Sequence, residues 1–563
     1  MAKQGDAEYL AKIAEPMTVD SEADITWDDS ADVVVVGFGG AGAATAVESL
    51  DQGLDVICLD RFAGGGATRL SGGVTYAGGT RFQQEAGFPD SAENMYAYLS
   101  QEPNAVSLTT LKTFCETSNA NLEWLASLGV PYSSEVYLEK TSYPPDGSFL
   151  YYTANETLPV SQQRAAAAPR GHRAVGAGST GHLHFDALRK AAQDRGARIH
   201  LHSPVRRLVM DRGGRILGVV ASVIPDSEWK RHDAFFDQIK PVMPFRQKKS
   251  VRAAQACAEW EEQFTGERFV RARVGVVIST GGFLFNRAMM ERHNPHFEPF
   301  YMNLIPISCM GDDGSGIELG RSAGGSIGLM DSLCLTKVIA PPTELSKAAL
   351  INEHGERFIA EDAYSGFVGS AILDQGGKAW LVIDSRNFWK AFKACLFPKK
   401  GLRLLTLPNL FNIALGGTKR ASSLSRLAKK IGVPADTLEK TISDYNAAAK
   451  GTVPDVVGKN PKNIAPVARG PFYALDLNMA KPFSMTLVFT LGGLRVNEET
   501  GSVIREDGSS IPGLYAAGRA AVGLCSKAYF SGMSLADTVF SGRRAARQMR
   551  RQKDEAALQK GEA

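Results

Sequence analysis

The chain has 563 residues, 44% of them hydrophobic and 22% charged, and a net charge of +3. That length accommodates two or three domains around a large core, in the proportions of an ordinary globular protein. The near-neutral balance excludes an electrostatic case for nucleic acid, and no basic-aromatic module accompanies it.

Residues 1–30 read as an acidic N-terminal arm on the surface, poorly ordered at its start. Val33 to Val36 have the length and β-branching of a buried parallel strand. They run into Gly37-Phe38-Gly39-Gly40-Ala41-Gly42, a G-x-G-x-x-G that opens a helical pattern. Gly37 permits the tight turn, Gly39 lets backbone approach a pyrophosphate, and Gly42 allows close helix–strand packing. The pyrophosphate is expected on the free N–H groups of that helix, at Gly40 and Ala41. A second strand ends in Asp60, placed to bind a ribose 2′-OH, with Arg61 beside it. A second small-residue loop follows at once, with Ala67, Thr68, Ser71, Gly72 and Gly73. A nicotinamide domain has no need of it, whereas a dinucleotide lying extended across the protein does.

From Ser91 to about Leu128 the spacing predicts a helix, and Pro144-Pro145-Asp146-Gly147 predicts a turn. After a helix over 183–196, residues 197–223 predict a strand and a hairpin turning at Gly213-Gly214, with Val205 among the cofactor contacts. His182, His184, His200 and His202 lack thiolates or carboxylates at metal-site spacing, so no metal is expected. Residues 226–268 interrupt the hairpin and its continuation with a stretch rich in Lys, Arg, Phe and Trp. Peripheral contact with a membrane surface is one reading of it. A helix packed on the protein's own surface or on a second subunit is the other.

The strand ending at Ile278 meets a glycine turn at Thr280-Gly281, and Gly311–Gly316 starts a further helix with free amides. A strand pair is expected around His354-Gly355, apolar pocket walls from 390–417, and a helix capped by Asp436. The last unit returns to the first domain. It has a strand delivered to Gly518-Arg519, then a small-residue loop and a helix beginning near Ser534-Leu535, with a fraying tail over 548–563. The seven cysteines are scattered with no C-x-x-C, which points to reduced thiols. No run resembles a signal peptide or reaches the roughly 18 apolar residues of a membrane span. A cytoplasmic protein, membrane-associated if residues 226–268 touch lipid, is the expectation.

The order of GFGGAG, Asp60, GGGAT…SGG, STGGF, GDDGSG, GERF and GLYAAGR resembles the fumarate reductase/succinate dehydrogenase flavoprotein superfamily over residues 30–545. The resemblance implies an α/β fold with an α+β cap: a Rossmann-type FAD-binding domain in two parts, 31–310 and 485–563, around a substrate domain at 311–484. It also places the N-terminus of the last helix against the flavin, where its dipole stabilises the anionic reduced ring. Where succinate dehydrogenase carries its flavin-linking histidine this chain has Ala67, so FAD is expected to be non-covalent.

Two departures bear on the substrate. Dicarboxylate enzymes of the superfamily have arginines after G-x-R-F-x-x-E and at the start of the R-x-x-G-N-S/A-L run. Here those places hold Tyr364 and Tyr529. A buried dianion facing tyrosines would lack charge partners. Tyrosine at both positions resembles the 3-ketosteroid dehydrogenases. Tyr529-x-Ser531-Gly532-x-Ser534-Leu535 is closer to the Δ4-(5α) type than to the Y-P-G-x-G of the Δ1 type. The resemblance implies oxidation of a 3-keto-5α-steroid to the 4-ene-3-one, with an electron acceptor, quinone or carrier, that the sequence does not identify. Such chemistry removes a proton α to the ketone and a hydride from the β carbon. Tyr529 and a backbone N–H of the 532–534 turn are expected to hold the enolate oxygen, with Ser531 and Tyr364 as the proton relay. Gly532 and Met533 are expected to contact substrate. A Δ1-dehydrogenase, an FAD ene-reductase running the reaction backwards, and an electron-transfer subunit without its own substrate remain as alternatives.

Overall fold

The computed structural model describes residues 12–239, 247–481, 484 and 486–561. The first eleven residues of the expected arm, and residues 240–246 of the 226–268 stretch, lie outside them.

The strand Asp29–Val36 lies parallel between Val56–Leu59 and Glu267–Ile278, with Val36 opposite Leu59 on one side and Ile278 on the other. Its valines alternate. Val33 and Val35 enter a core with Ala43, Ala46 and Val47 of the helix Gly40–Asp51, while Val34 and Val36 enter a second core with Leu208, Val219 and Leu494. Burial on both faces explains the unbroken valine run. Glu267–Ile278 pairs through its first half with the hairpin strand Ile216–Ser222 and through its end with Ser510–Ala516. The chain thus returns to its first sheet from more than 200 residues away. The final helix, Met533–Gly561, packs on Gly40–Asp51, where Arg543 and Arg547 both pair with the buried Glu48 at 2.7 Å.

Residues 349–476 build their own antiparallel sheet, ordered Ala349–Ile351, Trp380–Asp384, Phe472–Asp476 and Thr418–Ala421. The helix Ser385–Leu396 covers it, and Phe388 stacks on Tyr473 with centroids 3.8 Å apart. Between the two sheets, Leu333–Lys337 pairs antiparallel with Thr486–Thr490.

Several boundaries differ from the sequence expectations. The helix expected over 91–128 is two, Ala92–Leu99 and Leu108–Ser127, because Pro103 lies between them and Ser107 caps the second through Thr110 N. The long strand from 197 breaks into Arg198–His200 and Val205–Asp211 around Pro204. The pair at His354-Gly355 reduces to one bridge, Ile351 to Arg357. The helix Ala435–Ala449 starts after Pro434 without a side-chain cap, and Asp436 sits in its first turn, where its charge still favours the dipole. The tail is helical to Gly561. Lys553 reaches the buried Asp32 at 2.7 Å and Gln552 the Tyr515 hydroxyl at 2.6 Å, so the charges that suggested fraying are partly engaged.

The 226–268 stretch forms the helices Trp229–Phe236 and Gln247–Glu261. Phe235, Phe236, Ala253 and Cys257 pack against Phe62, Phe285 and Met310, and Trp260 is buried beside His232. Its described aromatics thus serve the chain's own surface. Burial alone would raise the Glu261 carboxyl. Arg61 at 2.7 Å, His232 at 2.8 Å and Arg206 at 2.5 Å outweigh it and hold the group well below the usual carboxylate range.

Candidate functional site

One cavity of about 360 Å³ runs from the first glycine turn to the Tyr529 loop. At its dinucleotide end the sequence signals are assembled as their chemistry requires. Gly37 has φ +94°, and a Cβ there would lie 2.8 Å from the Ser279 carbonyl oxygen, so only glycine fits. Gly39, Gly40 and Ala41 line the cavity, and Gly40 N–H donates to Thr68 Oγ1 at 3.2 Å. Gly42 does not line it. A Cβ there would come within 2.0 Å of the Gly37 carbonyl oxygen, which makes its role close helix–strand packing. Asp60 accepts Phe38 N–H at 2.7 Å and Phe62 N–H at 2.8 Å. Burial raises its carboxyl, and those backbone donors oppose the rise. Arg61 lines the cavity, but its guanidinium is turned to Glu261 and Asp313.

The second loop reaches the same cavity through Ala67, Thr68, Ser71, Gly72 and Gly73, and Val205 also lines it, with Phe236 of the inserted helix. Thr280, Gly281, Gly518, Arg519, Ser534 and Leu535 complete the wall. Arg519 Nη2 holds Asp312 Oδ2 at 2.7 Å, and Asp312 also accepts Gly282 N–H at 3.0 Å. The sequence singled out the loop around Asp312 but not this pairing.

These residues fit FAD. An added Cβ at Gly39 or Gly66 would meet nothing nearer than 3.8 Å, so the backbone there is approachable from the cavity. Arg519 Nη1 is buried without a hydrogen-bond partner, a donor left for the cofactor. The first-turn amides of both helices, at Ala41 and at Ser534-Leu535, are free of intrahelical bonds and positive. Ala67 offers no nucleophile for a covalent link.

At the other end Tyr364, Tyr529, Ser531 and Gly532 share the cavity with Thr336, Val338, Leu487 and Phe489. Tyr364 caps the helix Ser365–Asp374, its backbone N–H fixed by Asn155 Oδ1 at 2.7 Å. Its ring lies 6.1 Å from that of Tyr529, which packs edge-on to Phe489 at 4.8 Å. Burial pushes both phenols well above the ordinary tyrosine value, and Cys334 adds to the shift in each. The Thr336 hydroxyl beside Tyr364 and Gly532 N–H beside Tyr529 work the other way. Both are therefore protonated donors at neutral pH.

Ser531 Oγ meets the hydroxyl of Tyr151 at 3.1 Å, not that of Tyr364. Tyr151 sits in the two-residue strand Leu150–Tyr151, too short to leave a periodic signal, and the sequence reading passed over it. Met533 begins the last helix, buried with Phe530 and Tyr76 rather than in the cavity wall. The helix itself starts one residue before the expected Ser534. The three arginines that line the cavity, Arg61, Arg206 and Arg519, are each held by a carboxylate.

Three of the four histidines singled out in the sequence have other partners: His184 lies 3.2 Å from the Gly73 carbonyl oxygen, His200 pairs with Asp29, and His202 contacts His232. Among the described residues, His232, Cys257 and Glu261 have ligand atoms within 4.8 Å of one another. Two guanidinium groups already occupy the carboxylate.

A family model described as FAD binding domain matches residues 32–534. The chain is 35% identical over 524 residues to 3-oxo-5-alpha-steroid 4-dehydrogenase of Comamonas testosteroni, across 90% of this chain and 96% of that one. The crystal structure of 3-ketosteroid-delta4-(5alpha)-dehydrogenase from Rhodococcus jostii RHA1, in complex with 4-androstene-3,17-dione, is similar with a TM-score of 0.79 at 30% identity, over 95% of this chain and 100% of that one. A 3-ketosteroid delta1-dehydrogenase from Sterolibacterium denitrificans shares the fold, with a TM-score of 0.62 at 19% identity over 93% of this chain and 100% of that one.

Proposed function

Because the chain belongs to the FAD-binding flavoprotein family, with FAD as its cofactor, we propose that it oxidises a 3-keto-5α-steroid to the 4-ene-3-one. One observation carries this reading over a carboxylate substrate. The reaction end of the cavity presents two protonated tyrosines in an apolar wall, while every arginine lining the cavity is already neutralised. A neutral ketone needs hydrogen-bond donors and apolar walls; a buried dianion needs unpaired cations.

FAD, when bound, supplies the acceptor for the hydride that leaves C5. The chain's own part is to bind the steroid between Val338, Leu487 and Phe489, and to make the C4 proton acidic. Tyr529 and Tyr364 donate O–H to the C3 oxygen and stabilise its negative charge as the C4–H bond breaks. Gly532 N–H faces the Tyr529 oxygen, which leaves the Tyr529 proton free to point at the substrate. Ser531 Oγ takes the C4 proton as it releases its own to water in the cavity it lines, while Tyr151 Oη, buried and 3.1 Å away, fixes the serine hydroxyl. Tyr151 is thereby the partner of Ser531 that the sequence reading sought in Tyr364. We place Thr336, Val338 and Tyr364 in a substrate domain of residues 311–484, with Leu487 and Phe489 contributed from the returning part at 485–563, and the electrons then go to an acceptor of quinone or carrier class. The insertion helix Trp229–Phe236 closes the adenosine side through Phe236, beside Arg206 of the strand Val205–Asp211.

Anaerobic mixing tests the reading. The oxidised holoprotein is expected to bleach on addition of a 3-keto-5α-steroid and to stay yellow with succinate. Reversed selectivity contradicts it, and reoxidation of the reduced protein by an enone, without bleaching by the saturated ketone, would favour the ene-reductase.

A further inference from the structure

Between Ser385 and Ala435 the chain holds eleven Lys and Arg and no Asp or Glu, although its whole net charge is only +3. The remainder of the protein therefore sums to −8, and the positive charge is concentrated on one run. All eleven side chains are exposed, and among the described residues only Lys399 pairs with a carboxylate, Glu139.

The same run exposes large apolar side chains. The helix Ser385–Leu396 buries Phe388, Ala391 and Cys395, as its spacing requires. Trp389, Lys393 and Leu396 then share the opposite, outer face, and Phe397 follows, 71% exposed. Leu404 and Leu415, at the two ends of the packed helix Arg403–Ala414, are also more than half exposed. Leu138 joins them, because Lys399 Nζ reaches Tyr137 Oη at 3.2 Å. Apolar surface on this scale, threaded with lysine, is what an element lying in a lipid headgroup layer presents.

The patch is also the mouth of the cavity. Gly401 and Leu404 line the cavity and are themselves exposed, and Leu405 packs inward on Val338 and Leu487 at the reaction end.

We propose that the outer face of residues 385–415 docks the protein on an anionic lipid bilayer, so that the cavity mouth opens into the membrane. Charge selects this occupant. A second copy seated by a two-fold axis would bring the same basic run against itself, whereas acidic headgroups complement it. Docking of this kind lets an apolar substrate enter from the bilayer without crossing water. That last clause rests on the steroid reading; the docking does not.

The test is sedimentation of the FAD-loaded full chain with vesicles of phosphatidylglycerol and phosphatidylcholine, against phosphatidylcholine alone, at low and high salt. Binding to the anionic vesicles is expected, weakening on the order of tenfold without phosphatidylglycerol or on adding salt. Two variant pairs, Trp389→Ser with Phe397→Ser and Lys390→Glu with Lys393→Glu, are each expected to lose binding on the order of tenfold while keeping FAD and turnover of cyclodextrin-delivered substrate. The charge-reversal pair removes no apolar group and decides the matter if the serine pair fails to hold FAD. No sedimentation with anionic vesicles, or sedimentation that neither pair weakens, overturns the proposal. A dimer in solution that the serine pair converts to monomer, with no lipid binding, assigns the face to a second copy and overturns it too. Sedimentation needs no substrate, so failure of the steroid reading leaves this result interpretable.

Discussion

Replacing Tyr529 with Phe is expected to slow flavin reduction by the 3-keto-5α-steroid on the order of 10²- to 10³-fold, the cost of removing one donor from a developing oxyanion. The yellow holoprotein should survive the change. The ring packs on Phe489 and Tyr364, and those contacts do not use the hydroxyl. Substrate binding should weaken far less than the rate falls, because the ketone oxygen carries full charge only as C4–H breaks. The wild-type rate carries a matching signature. Since burial pushes Tyr529 and Tyr364 upward, their donor form persists above the ordinary tyrosine value of about 10. Stopped-flow reduction should therefore show no loss assignable to tyrosine through the neutral and mildly alkaline range. A descending limb near pH 8 that disappears in the Phe variant would contradict this assignment.

Arg519→Met should have the second large effect, on the cofactor rather than on the chemistry. Arg519 Nη2 neutralises Asp312, and Asp312 fixes Gly282 N–H in the turn after the strand Glu267–Ile278. Removing the cation leaves a buried carboxylate unpaired, a loss of about 3–5 kcal/mol. It also deletes the buried donor Nη1, which has no protein partner. The variant is expected to purify largely colourless and to melt earlier than wild type, with FAD affinity down at least on the order of 10²-fold. Equilibrium titration of apoprotein with FAD, followed by flavin fluorescence, measures this directly. Wild-type affinity in a stable variant would show that Arg519 serves neither role.

The dinucleotide end was legible because its physics is local. A β-branched strand, a glycine at positive φ, a helix start and a terminal acid fall within residues 33–60, and each is dictated by its own backbone. The reaction end was legible only in part. Tyr364 and Tyr529 stood out against arginines in similar proteins, and the structure brings their rings together. The contact between Ser531 and Tyr151 spans 380 residues of chain, and that between Arg519 and Asp312 joins two loops that pattern alone treats separately. Such pairings are made by tertiary packing, which leaves no periodic trace in either segment. The helix break at Pro103 was readable and was overridden by the apolar spacing on both sides. The order of the tail was not readable, because it depends on Asp32 and Tyr515 across the fold. The apolar run 390–417 was half legible: Leu404 and Leu405 do line the cavity, but Leu396 and Phe397 face outward.

The central claim, abstraction of a C4 proton and a C5 hydride, is tested most directly by a 3-keto-5α-steroid carrying deuterium at C5. Under anaerobic single turnover the account predicts bleaching of the flavin, slower than with unlabelled steroid, and a 4-ene-3-one product that has lost the label. A product that retains deuterium at C5 and carries its new double bond in the 1-position, or no flavin reduction at all, would contradict it.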